Sequence, residues 1–391
     1  MKDSTRTSKQ LEIVETWRKG HGMGTVVAAT GFGKTRVAIL AIQRFVKLDV
    51  NARVVIVVPT LNLQDQWIKE LQAHKVNDNC EVVVVNTAYK NTYKCEILVL
   101  DEIHCYGAPQ FKKIFKTISY DYILGLTATI ERSDGKHDIL LEHCPIIAEV
   151  TIDECYDNGW VSPYKTYNLA VPMLLEEVKE YEKANSRFRW AAGLLGGGGS
   201  ATFRLAQQIL KDNRSTPDQK AAAGTYFNSI RERGQVCKNS KAKLPIINEI
   251  ITKFSDRKAL IFSDSTAFAD ELKELLGDQC LSFHSKQTKK VRAEILKKFK
   301  DGRTKQRVIS AVKALNAGFD VPDCSLGIVA AGNSKKLDNI QRTGRIIRYV
   351  PGKEAIIINL YAPDTQEVAW LTNRQEGQEV IWVESVDEIG I

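Results

Sequence analysis

The chain has 391 residues, 43% of them hydrophobic and 26% charged, with a formal net charge of +8. That length buries more than one core and fits two or three domains, and the composition excludes disordered and collagen-like classes. No apolar run approaches the roughly 18 to 20 residues that cross a bilayer, and the polar start MKDSTRTSKQ lacks the apolar centre of a signal peptide, so no membrane is expected.

In chain order, GTVVAA at 24–29 predicts a buried strand, followed by a glycine loop and a helix over 35–47. VVIVV at 54–58 predicts a second strand, and 64–74 a helix. Strands over 81–85, 97–100 and 122–126 complete this series. Strand, loop and helix in alternation predict a parallel sheet covered on both faces. The stretch 176–243 carries helical patterning and no convincing strand. Within it, GGGGS at 196–200 is a flexible joint by composition, and as a natural hinge or an engineered linker it reads equally well. A second series follows: strand 259–262, helix 265–276, strand 281–283, helix 289–299, and strands 307–310, 326–330 and 355–360.

Charge is unevenly placed. Residues 183–243 hold twelve Lys or Arg against three Asp or Glu, enough to account for the whole positive excess. From Asp364 onward there are seven acidic residues and one Arg, which reads as a solvated acidic end. Eight cysteines lie scattered without a CxxC pair, so neither a zinc site nor a disulfide framework is suggested.

Three motifs carry chemistry. In AATGFGKT, a strand runs into the loop Thr30, Gly31, Phe32, Gly33, Lys34 and Thr35, and a helix follows. Glycines there turn backbone N–H groups onto phosphate, Lys34 reaches the β- and γ-phosphates, and the Thr35 hydroxyl meets Mg²⁺. LVLDEIH then ends an apolar strand in Asp101 and Glu102, at the sheet edge where ligands bind in open α/β sheets. Asp101 would hold Mg²⁺ through water, and Glu102 would orient and deprotonate the attacking water. In QRTGRIIR, a helix would put Gln341, Arg345 and Arg348 on one face, an arginine-finger arrangement.

Together these motifs resemble the superfamily 2 helicases of the DEAD/DEAH-box group. VPTLNLQDQW, NTAY, LTAT, ERSDG, ALIFS and GFDVP fall in the family's order, and the likeness covers nearly the whole chain. It is similar in particular to XPB-like helicases and short UvsW-like phage enzymes. The resemblance implies an α/β fold of two tandem RecA-like parallel-sheet domains, with a helical basic insertion between the first strand and the body of the second. The expected domains are 1–154, then 155–365 with the insertion at 176–243, then the acidic tail 366–391.

It further implies that Gln10 reads adenine and that Gly318 and Asp320 join the nucleotide site. Pro59, Thr60, Gln64 and Thr87 would line a nucleic-acid strand in the first domain, and Ser263, His284 and Lys286 would meet the same strand in the second. Thr127 and Thr129 would couple that path to the nucleotide, and His104 would bridge the DEIH and QRTGR motifs. In the insertion, Arg187, Arg189, Arg231 and Arg233 would neutralise phosphates while Phe188, Trp190, Phe203, Tyr226 and Phe227 stack on bases. The alternative is that those aromatics pack inward.

The expected activity is ATP-driven movement on DNA, with ATP and Mg²⁺ as cofactors, a forked or branched DNA partner, a monomeric state and a cytoplasmic setting in a bacterium or phage-infected host. Two alternatives stay open: an RNA helicase or non-unwinding duplex translocase, and a nucleic-acid-binding protein with a vestigial ATPase.

Overall fold

The computed structural model describes residues 2–130, 138–301, 305–312, 321, 323–333 and 336–390. Six strands, β1 (Met23–Ala28), β2 (Val54–Val58), β3 (Cys80–Val84), β4 (Tyr93–Asp101), β5 (Ile118–Thr127) and β6 (Ile146–Val150), form one sheet. Their order is β3-β2-β4-β5-β1-β6, and every pairing is parallel. All five positions of β2 are buried. A strand covered on both faces has no solvent side to alternate toward, so it reads as an unbroken apolar run.

Seven further strands, β7 (Tyr164–Ala170), β8 (Ala259–Ser263), β9 (Cys280–His284), β10 (Val308–Val312), β11 (Leu326–Val329), β12 (Ala355–Tyr361) and β13 (Ile381–Val383), make a second sheet in the order β13-β7-β12-β11-β8-β10-β9. The helices after β8 and β9, Thr266–Leu276 and Lys289–Lys300, start on Ser265 and Thr288, whose side chains accept from Phe268 and Val291 N–H groups. Such caps satisfy donors that a helix start leaves bare.

The chain divides into two compact units. One comprises Met1–Tyr164, Leu315–Ser325 and Lys335–Ala355, and the other comprises Lys165–Ala314, Leu326–Ser334 and Ile356–Ile391. The segment carrying Gln341, Arg345 and Arg348 thus packs with the first unit, although its flanking strands β11 and β12 belong to the second sheet. No described helix is long and apolar enough to cross a membrane.

Two expectations are corrected. The end of the chain is not a solvated acidic segment. It forms helix Gln366–Arg374 and strand β13, with Glu367, Leu371, Arg374, Val383, Val386 and Ile389 buried. Net acidity there concealed a spaced set of apolar residues that reach the core of the second sheet. The helix over Lys336–Ile346 carries Gln341 and Arg345 but stops short of Arg348, which lies on extended backbone bridged antiparallel to Val161.

Between β7 and β8, helices Leu175–Leu194, Ser200–Lys211 and Pro217–Lys238 pack around Ala191, Leu195, Ala206, Ile209, Ala223 and Tyr226. Gly196, Gly197 and Gly199 join the first two with φ of 92°, 115° and 91°, values that residues with a side chain rarely adopt.

Candidate functional site

The first sheet presents its C-terminal edge as a row. Ala28 ends β1, Asp101 ends β4 and Thr127 ends β5, and these three strands are neighbours. Beside them, β2 and β3 lead into Pro59, Thr60, Gln64 and Thr87. Nucleotide chemistry and the expected strand path therefore occupy adjoining parts of one edge.

The helix Lys34–Leu48 begins at Gly33, which is left-handed at φ 95° and offers no side chain to cap the first-turn N–H groups. Gly31 has φ 100°. A helix start open in this way, behind glycines that turn the backbone, favours phosphate. Lys34 Nζ donates to the Ala28 carbonyl at 2.9 Å, which parks the ammonium across the loop. Thr30 and Thr35 are half-buried, and the Phe32 ring is buried. Gln10 is buried on the first helix, and its side-chain amide donates to the Phe32 carbonyl at 2.9 Å, so it abuts the loop.

Asp101 is 6% exposed. One carboxylate oxygen accepts from Trp67 Nε1 at 2.8 Å, and the other accepts from the Glu102 N–H at 3.1 Å. Burial, reinforced by the Glu102 charge, pushes its carboxyl up to about 6. Glu102 has φ 52°, a left-handed conformation that costs a residue with a side chain roughly 1–2 kcal/mol. Burial raises its pKa too, while Lys34 and Arg345 oppose the shift. Those opposing charges put the lysine of the loop and the arginine of QRTGR in electrostatic reach of one carboxylate.

Glu102 Oε2 is buried without a hydrogen-bond partner among the described residues. A buried, unsatisfied acceptor costs free energy unless something donates to it, which suits a water or ligand at this position. His104 Nδ1 lies 3.4 Å from that oxygen and 2.9 Å from Thr127 Oγ1. Because the Thr127 hydroxyl donates to the Thr129 carbonyl at 2.6 Å, it accepts from His104. His104 thus joins the DEIH motif to Thr127 and Thr129.

Gly344 rests on the loop: a Cβ there would lie 2.1 Å from Thr30 Cβ, so only glycine fits. Trp67, Lys353 and the run Trp160-Val161-Ser162, which sequence reasoning did not single out, also contact the loop, Asp101 or the arginine segment. Trp67 lies within the quoted VPTLNLQDQW, but its bond to Asp101 is tertiary. Gly318 and Asp320 lie outside the described residues, as does the ERSDG stretch up to Gly135.

Of the expected strand-lining residues, Pro59 and Thr60 are half-buried and Thr87 is exposed. Thr60 caps helix Leu61–Ala73, and Gln64 donates to the Val82 carbonyl at 2.7 Å. In the second sheet, Ser263 and His284 both pair with Val312, one from each side, at the C-terminal edge. Ser263 is buried and donates to the Ala311 carbonyl at 3.4 Å. His284 Nδ1 is buried without a hydrogen-bond partner among the described residues, and exposed Lys286 donates to Thr266 Oγ1 at 3.3 Å.

In the helical insertion, the Phe188 and Tyr226 rings stack at 5.3 Å and Phe203 meets Phe227 edge-on at 5.1 Å. These aromatics pack against each other, as the alternative reading had it. Arg187 pairs with Glu232 at 2.6 Å, and Arg233 lies 4.3 Å over the Phe188 ring while donating to Tyr181 Oη. Arg189 and Arg231 are exposed, and Trp190 is 59% exposed.

Residues 4–98 and 85–132 match the family model for the type III restriction enzyme res subunit, and 242–350 match the helicase conserved C-terminal domain. The chain is 29% identical to the DNA 3'-5' translocase XPB2 of Sulfurisphaera tokodaii, over 94% of this chain and 84% of that one. It is 24% identical to the general transcription and DNA repair factor IIH helicase/translocase subunit XPB of Danio rerio, over 71% of this chain and 31% of that one. Among solved structures, the Pyrococcus furiosus Hef helicase domain superposes with a TM-score of 0.58 at 16% identity, covering 95% of this chain and 98% of that one, a likeness of fold. The two sheets are accordingly tandem RecA-like domains, and the two matched models together with the XPB relatives support an XPB-like helicase of superfamily 2.

Proposed function

We propose that the chain is an ATP-dependent DNA helicase or translocase, which couples hydrolysis to movement on DNA and remodels forked or branched substrates. The observation that carries this reading is the unsatisfied Glu102 carboxylate oxygen, buried within electrostatic reach of both Lys34 and Arg345. A vestigial nucleotide site would have no reason to keep a buried, left-handed glutamate with an unsatisfied oxygen in electrostatic reach of two cations.

In this reading the open helix start at Gly33 cradles phosphates, Lys34 leaves the Ala28 carbonyl for the β- and γ-phosphates, and Gln10 reads the adenine beside Phe32. Thr35 and Asp101 would hold Mg²⁺, which would neutralise phosphate charge when bound. Glu102 orients the attacking water and takes its proton. Arg345, with Arg348 and Gln341 in the same segment, stabilises charge on the transferring phosphoryl group. DNA is preferred because the relatives are named as a DNA translocase and a DNA repair factor subunit. Pro59, Thr60, Gln64 and Thr87 at one sheet edge, and Ser263, His284 and Lys286 at the other, would follow one strand. Arg187, Arg189, Arg231 and Arg233 would add phosphate contacts from the insertion.

The test is ATP hydrolysis measured with single-stranded, duplex, forked and four-way DNA and with RNA, beside Lys34→Ala. Forked or branched DNA should stimulate most, and Lys34→Ala should abolish the stimulated rate. Retention of that rate would overturn the mechanism, and stimulation by RNA alone would reverse the substrate.

A further inference from the structure

Three consecutive residues touch both halves of the nucleotide machinery. The Trp160 ring packs 5.4 Å from the Phe32 ring, and both side chains are buried. Trp160 Nε1 also donates to Thr5 Oγ1 at 3.1 Å, on the helix that carries Gln10. Val161 covers Gly31, its Cγ1 lying 3.1 Å from where a Cβ on that glycine would stand. The backbone of Val161 bridges Arg348. Ser162 donates from its N–H to the Ile347 carbonyl at 2.8 Å and from its hydroxyl to the Arg348 carbonyl at 3.0 Å. The same hydroxyl accepts from the Val350 N–H at 3.2 Å.

The chain leaving helix Lys336–Ile346 is thereby met from outside. Helix C-termini leave carbonyls without intrahelical partners, and these must be met from outside. Here Lys353 Nζ takes the Ile346 carbonyl at 2.8 Å, and Ser162 takes the two carbonyls just beyond the helix, those of Ile347 and Arg348. Two residues of extended chain span only about 7 Å, so loop and arginine segment are tied by a strap too short to stretch.

We propose that Trp160, Val161 and Ser162 are positioning residues for hydrolysis, setting Arg345 and Arg348 against the phosphate loop. This rests on the ATPase reading above. The strap touches the loop through Phe32 and Gly31 and the arginine segment through main-chain atoms, so it fixes placement without meeting substrate. Placement is what an arginine finger depends on, since an error of about 1 Å can cost roughly a hundredfold in rate.

Ser162→Ala and Val161→Ala in the full chain test the strap. The assays are steady-state hydrolysis on saturating DNA and the affinities for ADP and for ADP with aluminium fluoride, a mimic of the transferring phosphoryl group. Both variants should lose about tenfold or more in kcat. KM for ATP and the ADP affinity should hold within about twofold, while the aluminium fluoride complex weakens in step with kcat. Arg345→Ala should show the same signature. Wild-type kcat and aluminium fluoride affinity in both variants overturn the strap, as does a parallel loss of ADP affinity, which would mark a merely structural role. If Ser162→Ala does not fold, Val161→Ala decides alone, because it keeps the main-chain contacts. Lys34→Ala separates the two claims: hydrolysis surviving that change removes the underlying reading as well, whereas its loss beside unaffected strap variants removes only the strap.

Discussion

Asp101 is held where its charge is least comfortable. The carboxylate is buried beside a second carboxylate, and its compensation comes from Trp67, from the Glu102 N–H and from the Lys34 charge. Asp101→Asn removes the buried charge and keeps an acceptor for Trp67. The variant should melt about 1 °C above the wild type at pH 7.5, corresponding to roughly 1 kcal/mol in a protein this size, and should lose Mg²⁺-dependent hydrolysis. The sign with pH follows from the raised value. Folding lifts the Asp101 pKa from 3.8 to about 6, so the ionised side chain detracts from stability fully above pH 6 and progressively less as pH falls toward 4. The difference in melting midpoint should close over that range, and a difference that stays constant down to pH 4 would show that charge burial is not its cause. Asp101 and Glu102 were legible because an apolar strand ending in two carboxylates is a local pattern. Trp67 as Asp101's partner was not, since the contact joins residues 34 positions apart. The left-handed turn at Glu102 was equally silent, because no residue type announces it.

Elements were legible in proportion to how uniformly they are buried. β2 matches its expected bounds because every one of its five residues is buried. β6 escaped notice because it pairs on one side only, at the sheet's edge, and four of its five residues keep some exposure. β13 is three residues long and too short to signal itself. In the helical insertion the sequence offered two readings of the same aromatics, and packing resolves them by position. Arg233 is committed to Phe188 and Tyr181, whereas Arg189 and Arg231 project outward. Arg233→Ala should cost about 1–2 kcal/mol in urea unfolding through the lost ring contact and hydrogen bond. Arg189→Ala and Arg231→Ala should each stay within about 0.5 kcal/mol of wild type. Their double variant is then the clean probe of DNA contact, with weaker binding to forked DNA and a shallower salt dependence expected. Equal stability loss in all three would mean that the outward arginines are structural as well.

At the scale of the whole chain, the last residues close the second sheet. Glu367 pairs with Lys243 at 3.0 Å, and that lysine is fully buried, donating also to the Cys237 and Ala330 carbonyls. One ion pair thus ties the end of the helical insertion, the end of β11 and the C-terminal helix. Arg374, buried on that helix, donates to the Asn333 carbonyl at 3.1 Å and to Asn359 Oδ1 at 2.8 Å, while Tyr167 Oη donates to the Gly390 carbonyl at 2.9 Å. Charge counting could not reveal this, because net charge says nothing about which apolar residues between the charges are covered. Glu367→Ala leaves an ammonium buried without its counter-charge and should cost about 3–5 kcal/mol. The pair Lys243→Met with Glu367→Leu removes both charges together and should recover most of that loss, since burying two ions is itself expensive. Removal of residues 365–391 should do more than either, because Leu371, Val383, Val386 and Ile389 each contribute about 1.5–3 kcal/mol by burial. Urea unfolding followed by tryptophan fluorescence reads all three. A truncated chain with an unchanged midpoint, or a double variant no more stable than Glu367→Ala, would show that the C-terminal residues lie against the second sheet without holding it together.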